Sequence, residues 1–202
     1  MERSGHASGH QAGLTASGEK VASMDEAAKH PAVAELRTLS GAAIVTALKD
    51  AGIDYVISVP DQLTARGILR RVEQDQSLNL VRVCKEDECL GIAAGLTYGH
   101  HRPLILIQYT GFQYAINAIR GIACEQKLPI VMMIGLLAKE PDVLPRQSKK
   151  FGVAITEPML ELLGIEQHYI DTDADVGKIR PVIEKAYATS RAAAFLIGRA
   201  PA

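Results

Sequence analysis

Residues 104–134, LILIQYTGFQYAINAIRGIACEQKLPIVMMI, decide the fold because they place a helical segment between two short apolar runs. The first run, 104–108, and the last, 129–134, consist almost entirely of Leu, Ile, Val and Met. Continuous runs of this kind are typical of strands that are buried on both faces. The segment between them predicts a helix from about 115 to 125. A strand, a helix and a second strand in this order predict parallel strands.

The same alternation continues on both sides of this stretch. Strands are predicted over 55–59, 78–83, 167–170 and 193–197, and helices over 40–52, 63–73, 87–98, 157–163 and 176–189. Ser40 is a suitable N-cap for the first helix. The pattern predicts one α/β domain of three layers, with helices on both faces of a mostly parallel, roughly six-stranded sheet. We expect this domain to span 36–202 and to follow a flexible N-terminal extension over 1–35, where no periodic pattern is sustained.

The composition is that of a folded domain and excludes several classes of function. The chain has 202 residues, of which 48% are hydrophobic and 22% charged, and its net charge is -1. It therefore lacks the basic excess that nucleic-acid binding requires. The longest apolar run, 130–138, is far shorter than the roughly 20 residues needed to span a bilayer. Because the N-terminal region also lacks the apolar core of a signal peptide, we predict a cytoplasmic protein that binds neither nucleic acid nor membrane.

The cysteines and the common catalytic motifs give no metal or disulfide signature. Cys84, Cys89 and Cys124 form no Cys-x-x-Cys pair and are odd in number, so we interpret them as buried, reduced thiols. The chain has no zinc-protease, hydrolase, Walker A or dinucleotide-binding motif. We therefore predict no metal site on this chain.

Ligands of parallel α/β sheets bind at the carboxyl ends of the strands, so the segments after each strand are the candidates. Asp61, after the first strand, has two possible roles, as a helix N-cap or as a contact to a ligand. The third strand is followed by a predicted loop over 109–114.

The second strand is followed by Glu86 and a helix that is unusually poor in side chains. This helix carries Gly91 and Gly95, and each glycine costs a helix roughly 1 kcal/mol relative to alanine. Such a helix indicates that another element packs very close to it. A carboxylate at its start indicates a buried contact.

Residues 86–95, EDECLGIAAG, resemble the signature of the pyrimidine-binding domain of thiamine-diphosphate-dependent decarboxylases. In that family a glutamate ends the second strand and a small-residue helix leads to a glycine nine positions on, as in Glu86 and Gly95. Residues 58–61 and 108–118 resemble the family's first-strand loop and its Gln-Asn-Ser-Gly…Asn-Ala stretch. The likeness covers about 38–199 and is greatest to sulfopyruvate decarboxylase alpha subunits and the N-terminal part of phosphonopyruvate decarboxylases.

The resemblance implies a site, residue by residue. Glu86 would be catalytic and would hydrogen-bond N1′ of the aminopyrimidine, which promotes loss of the proton from thiazolium C2. The residues implied to bind the cofactor are Glu86, Pro60, Gly111, Phe112 and Gln113. The candidates to border the substrate are Asp61, Gln108 and Lys149; Lys149 is either a cationic partner for a sulfonate or phosphonate or an exposed residue of a solvated loop. The chain departs from the family at 112–114 and at 137–140, which leaves the substrate open.

The resemblance also implies a partner. The family's second domain holds Mg²⁺ and the diphosphate through Gly-Asp-Gly followed by Asn, and this sequence contains no Gly-Asp-Gly. The implied protein is the alpha subunit of a hetero-oligomeric, sulfopyruvate decarboxylase-like enzyme for small 2-oxo acids. Thiamine diphosphate would bridge this chain and a beta subunit that binds Mg²⁺. The partner would cover an exposed apolar face on the helices around Ala93 and Ile119.

Two alternatives stay open at this point. The same half-site would also serve another thiamine-diphosphate reaction, such as decarboxylation of phosphonopyruvate or another 2-oxo acid, or carboligation. The domain would otherwise be a non-catalytic, cofactor-binding regulatory module.

Overall fold

The structure is a computed structural model that describes residues 38–202. The extension predicted over 1–35 lies outside the described residues. Six strands are present: β1 (Tyr55–Ser58), β2 (Asn79–Arg82), β3 (Pro103–Gln108), β4 (Val131–Gly135), β5 (Glu166–Ile170) and β6 (Ala193–Ile197).

All six strands are parallel and form one sheet in the order β2-β1-β3-β4-β6-β5. The predicted three-layer α/β architecture is therefore confirmed. The last strand has the predicted bounds, and the ends of the others differ from prediction by at most two residues.

Helices connect the strands and cover both faces of the sheet. They are α1 (Gly41–Asp50), α2 (Arg70–Gln74), α3 (Glu86–Tyr98), α4 (Tyr109–Tyr114), α5 (Ile116–Ile119), α6 (Phe151–Ala154), α7 (Thr156–Leu162) and α8 (Ile179–Thr189). The π-helical turns Ala65–Leu69 and Arg120–Glu125 precede α2 and follow α5, and the 3-10 turns are Pro145–Gln147 and Asp173–Lys178.

The central strands supply two separate cores because successive side chains of a strand point to opposite faces. In β3, Leu104 and Leu106 enter the core that α1 and α8 cover. Ile105 and Ile107 enter the core on the other face, against α3. The same division in β4 and β6 explains why these strands are apolar at every position and buried throughout.

The start of α1 agrees with the sequence in its detail. Ser40 has an extended backbone, and its side-chain oxygen accepts a hydrogen bond from the Ala43 amide at 3.2 Å. This bond satisfies one of the amides that have no partner within a helix's first turn.

The segment after β3 corrects the prediction of a loop over 109–114. Gln108 has an extended backbone, and α4 begins directly at Tyr109. Gly111 and Phe112 of α4 are buried, so packing in this turn of helix outweighs the weak helix propensity of Thr, Gly and Tyr.

The three cysteines differ in exposure. Cys89 is buried and Cys124 is partly buried, whereas Cys84 is exposed. The prediction of a buried thiol is therefore wrong for Cys84. This residue follows β2, which is an outermost strand of the sheet and has a neighbouring strand on one side only.

None of the helices within residues 38–202 has the length and apolar character that a membrane crossing requires.

Candidate functional site

The carboxyl ends of the six parallel strands lie along one edge of the sheet, and the predicted site residues follow them. Glu86 is the first residue of α3, a few residues after β2. Gly111 lies in the first turns of α4, directly after β3. The two residues touch: a β-carbon at Gly111 would overlap the Glu86 side chain. Glycine at 111 is therefore what allows α4 to approach the carboxylate.

The Glu86 carboxylate is available for a ligand. Glu86 is only partly buried, and its carboxylate makes no hydrogen bond or ion pair with any residue of 38–202. It stands at the amino end of a helix of 13 residues, where the aligned peptide dipoles favour negative charge. A carboxylate that is held in place by packing, with both oxygens unused, is suited to bind a hydrogen-bond donor.

The two neighbouring carboxylates have different surroundings. Glu88 is exposed and accepts hydrogen bonds from the backbone amides of Cys84 at 3.2 Å and Lys85 at 3.3 Å. The Glu88 side chain therefore satisfies backbone amides at the start of α3. Asp87 is also exposed. Of the three acidic residues, Glu86 is the one whose side chain lies against α4.

The glycines of α3 face open space, so the element that their sequence predicts to pack close is not found among residues 38–202. Gly91 and Gly95 are exposed, and a β-carbon at either position would meet nothing within 4 Å among the described residues. Gly121, in the π-helical turn after α5, is equally open. Ala93, in contrast, is buried beneath this surface, with 1% of its area exposed. We call the surface of Gly91, Gly95 and Gly121 the glycine face.

Gln113 ties α4 to α6. Its Nε2 donates to the carbonyl of Gly152 at 2.6 Å, and the Thr156 hydroxyl donates to the same carbonyl at 2.8 Å. The Tyr109 ring occupies the space that a β-carbon at Gly152 would need. The amide nitrogen of Gln113 therefore holds α4 in place, and the implied contact of Gln113 with the cofactor stays a prediction.

Asp61 is the cap of the turn that leads into α2. It is 3% exposed, and its carboxylate accepts bonds from the Leu63 amide at 3.1 Å, the Thr64 amide at 3.1 Å and the Thr64 hydroxyl at 3.0 Å. It also lies over Gly135 at the end of β4. Of its two possible roles, the geometry shows the capping role, because both carboxylate oxygens are used within the chain.

The structure also reassigns the Phe112 side chain. It is fully buried in the core between the sheet and α3, since it lies on the inner face of α4. The whole residue is 0% exposed, and its implied contact with the cofactor stays a prediction.

The other predicted residues remain near the carboxyl edge. Pro60 is exposed after β1, and Gln108 donates from Nε2 to the Thr110 hydroxyl at 2.9 Å. Lys149 has an exposed side chain, and its amide donates to Glu140 at 3.0 Å. Their implied roles stay predictions.

The loop after β4 contains residues that sequence reasoning did not assign. Lys139 is 9% exposed, and its Nζ donates to the carbonyls of Glu140 and Val143, each at 2.7 Å. Glu140 in turn accepts from the Ser148 hydroxyl at 2.7 Å. A lysine among polar loop residues has no sequence pattern that distinguishes it from an exposed one, so its burial could not be predicted.

No three His, Cys, Asp or Glu side chains within 38–202 are grouped so that they could hold a metal ion.

Known proteins show the same likeness as the sequence motifs. The chain is 31% identical over 108 residues to the sulfopyruvate decarboxylase subunit alpha of Methanothermobacter thermautotrophicus, covering 54% of this chain and 65% of that protein. The subunit alpha of Methanocaldococcus jannaschii is 30% identical over 105 residues, covering 52% of this chain and 62% of that protein.

This chain is similar to sulfopyruvate decarboxylase alpha subunits. A third such subunit, from Methanococcus maripaludis, is 30% identical over 92 residues, covering 46% of this chain and 54% of the relative. These matches confirm the resemblance that the motifs indicate. The chain aligns with between about half and two thirds of the length of these curated relatives. No family model matches the chain.

Proposed function

We propose that this chain is the alpha subunit of a two-subunit, thiamine-diphosphate-dependent 2-oxo acid decarboxylase that acts on sulfopyruvate. Support comes from the three similar sulfopyruvate decarboxylase alpha subunits and from the residues at the carboxyl edge of the sheet. The observation that carries the proposal is the Glu86 carboxylate, which is fixed against Gly111 and has no partner among the described residues.

Glu86 fits the hydrogen-bonding requirement of an aminopyrimidine. Its free carboxylate would bind the N1′ position, and general acid–base catalysis by such a positioned group contributes roughly 10²- to 10⁴-fold. When bound, thiamine diphosphate would supply a carbon nucleophile and an electron sink for the bonding pair that stays behind when carbon dioxide leaves. The contribution of this chain is to hold and exchange a proton at Glu86 and to keep the pyrimidine in place.

The surroundings of Glu86 make that placement rigid. Gly111 limits the side chain on one side, and the bond from Gln113 to Gly152 fixes the helix that carries Gly111. Displacement of α4 would release the carboxylate. Gly111 and Gln113 therefore act through the position of Glu86, and the exposed Pro60 lies at the same carboxyl edge.

A partner subunit would complete the site. The sequence has no Gly-Asp-Gly, so Mg²⁺ and the diphosphate would be held by a beta subunit that carries it. The glycine face is the surface of this chain that we assign to the partner, because bare helix backbone allows another element to approach closely. The cytoplasmic location stays a prediction.

The substrate would meet cations at the loop after β4. The sulfonate of sulfopyruvate carries a fixed negative charge, and charge-assisted hydrogen bonds to Lys or Arg are the strong means of binding it. Lys149 has an exposed side chain in that loop. Gln108, at the end of β3, would border the same substrate.

Activity and cofactor binding together test the proposal. The chain is mixed with a Gly-Asp-Gly-bearing beta subunit, thiamine diphosphate, Mg²⁺ and sulfopyruvate, and release of carbon dioxide is measured. Glu86→Gln should lower kcat by roughly 100-fold or more. The matched control is Asp87→Asn, which removes an exposed carboxylate from the same helical turn and should leave activity within about twofold.

Calorimetry of thiamine diphosphate binding to the assembled subunits gives a second readout. The wild-type pair should bind the cofactor, and Glu86→Gln should bind it more weakly. Full activity of Glu86→Gln would contradict the catalytic role, and release of carbon dioxide from other 2-oxo acids but not from sulfopyruvate would contradict the substrate.

A further inference from the structure

A second cavity lies at the carboxyl edge of the sheet, away from Glu86. It has a volume of about 170 Å³ and is lined by residues that follow β4, β5 and β6, with Leu63 after β1. Glu86 and Gly111 follow β2 and β3 instead. The cavity is therefore a separate feature of the same edge, and none of the residues implied by the resemblance lines it.

Lys139 lines the cavity and is buried, with 9% of its area exposed. Its two hydrogen-bond partners are neutral carbonyls, and it forms no ion pair with a carboxylate of residues 38–202. Burial lowers the pKa of this lysine, because the charged form loses its hydration. A lysine ammonium has three donors, so one remains for another acceptor.

A second cation, Arg199, which follows β6, also lines the cavity. Its side chain is 28% exposed and lies 3.3 Å from Asp171 and 3.6 Å from Asp142. Its Nε also donates to the backbone carbonyl of Asp171 at 3.2 Å. No hydrogen bond to a described residue engages Nη1 of Arg199.

The carboxylate that lines the cavity, that of Asp171, already has hydrogen-bond partners within the chain. Asp171 accepts a hydrogen bond from the Tyr169 hydroxyl at 2.9 Å on one carboxylate oxygen and faces Arg199 with the other. It therefore offsets the charge of Arg199 and makes no ion pair with Lys139. The charge of Lys139 is offset only at longer range, by nearby carboxylates such as Asp171 and by the Tyr169 ring at 5.6 Å, so an incoming anion would supply the direct counter-ion that it lacks among the described residues.

We propose that this cavity binds a small oxyanion, a carboxylate, phosphate or sulfonate group, between the Lys139 ammonium and the Arg199 guanidinium. The volume of about 170 Å³ equals that of about six liquid waters, which accommodates an anion of four or five heavy atoms. Arginine presents a planar fork of donors that suits such groups. The proposal does not rest on the decarboxylase function, because it concerns residues outside the Glu86 site.

The experiment titrates the full chain, without a partner, with sodium sulfate and with inorganic phosphate at constant ionic strength. Amide chemical shifts are recorded by NMR, and affinity is measured by calorimetry. Saturable binding is expected, with the largest shifts at Lys139, Gly198 and Arg199. Methanesulfonate and acetate are titrated in parallel. Tighter binding of methanesulfonate or acetate would indicate that the natural ligand is an organic molecule with a terminal anionic group. Tighter binding of sulfate or phosphate would indicate a free inorganic ion. Either result supports the site.

Two arginines that flank β6 provide a matched pair of variants. Arg199→Gln removes the cation after the carboxyl end of β6, whereas Arg191→Gln removes an exposed cation before its amino end. Arg199→Gln should weaken anion binding at least about tenfold, the loss of one charge-assisted hydrogen bond. Arg191→Gln should leave it unchanged. Lys139→Gln should also weaken binding, with circular dichroism to verify folding.

Absence of saturable binding to the wild-type chain would overturn the proposal. Equal affinity of wild type and Arg199→Gln would do the same, as would loss of binding in Arg191→Gln. Because no partner or cofactor is present, these outcomes are independent of the decarboxylase assays.

Discussion

The side chain of Glu86 occupies the space that a β-carbon at Gly111 would need, although the two residues lie on different helices. The contact exists because β3 continues into α4 without a loop, which brings the third residue of α4 against the start of α3. The position of the proposed catalytic carboxylate thus depends on the absence of a side chain at 111.

Substitution of Gly111 by alanine should displace Glu86. The added methyl group overlaps the carboxylate, and overpacking of this kind costs typically 1–3 kcal/mol. Glu86 is expected to rotate away, with at least a tenfold loss of thiamine diphosphate affinity in the complex with the beta subunit. Calorimetry measures this loss. Gly177→Ala is the control, since a β-carbon there meets nothing within 4 Å; an equal loss in the control would contradict the prediction.

Alanine at Gly95 should stabilise the isolated chain. The site is exposed, helical and open, so the lower entropy of the unfolded alanine chain is expected to raise the free energy of unfolding by about 0.5–1 kcal/mol. Gly67→Ala is the opposite case, because its β-carbon would overlap the backbone of Pro201. Urea denaturation should show a gain for the first variant and a loss for the second. A lower free energy of unfolding for Gly95→Ala would contradict the prediction, because it would mean that another group fills the space beside Gly95.

The glycine face gives a separate prediction for the complex. If the beta subunit covers this face, a bulky side chain there prevents close approach. Gly95→Leu should therefore weaken association of the two subunits at least tenfold, whereas Gly177→Leu should not. Analytical ultracentrifugation of the mixed subunits measures both, and unchanged association of Gly95→Leu would exclude this face as the interface.

Removal of the Asp61 carboxylate should lower stability rather than act only on catalysis. Three donors from Leu63 and Thr64 would lose their acceptor in Asp61→Ala at a buried position. A lost cap costs roughly 0.5–2 kcal/mol, and burial places this site at the upper end of that range. Ser40→Ala, at the more exposed cap of α1, should cost less. Urea midpoints of the two variants compare them directly.

The sequence predicts the strands better than the connections, and the reason is physical. β4 and β6 are apolar at every position, and β3 at every position before Gln108, because both faces of each are buried, so composition alone identifies them. The helical turns of 109–114 contain Thr, Gly and aromatic residues, and they form because Gly111 and Phe112 pack inward. Glu86 could be proposed from its motif. The burial of Lys139 could not, since it depends on carbonyls that a loop brings together only after folding.

Asp75 should contribute to acid sensitivity of the fold. Hydrogen bonds from Lys49 and Ser77 lower its pKa from 3.8 to about 2. Because the pKa is lower in the folded state, this contribution is fully present above about pH 4 and is lost as the pH falls toward 2. Wild type should be more stable than Asp75→Asn at pH 6, and most of the difference should be lost near pH 2.

Urea denaturation at both pH values measures this difference. The pair is exposed, so high salt should reduce the effect. Asp50→Asn is the control, because it removes an exposed carboxylate that has no hydrogen-bond partner among the described residues. A difference between wild type and Asp75→Asn that persists at pH 2 would contradict the assignment.

The three cysteines should react with thiol reagents in the order Cys84, Cys124, Cys89. Cys84 is exposed, whereas burial raises the pKa of Cys124, and burial together with the charge of Glu86 raises that of Cys89 to about 12. Because the thiolate is the reactive form, Cys89 should stay unmodified in the native chain at pH 8. Iodoacetamide labelling followed by peptide mass spectrometry gives the order, and unfolding in urea should make all three react alike. Early labelling of Cys89 would contradict this order. It would show that the core beneath α3 opens in the native chain, so that the helix carrying Glu86 is not held firmly in place.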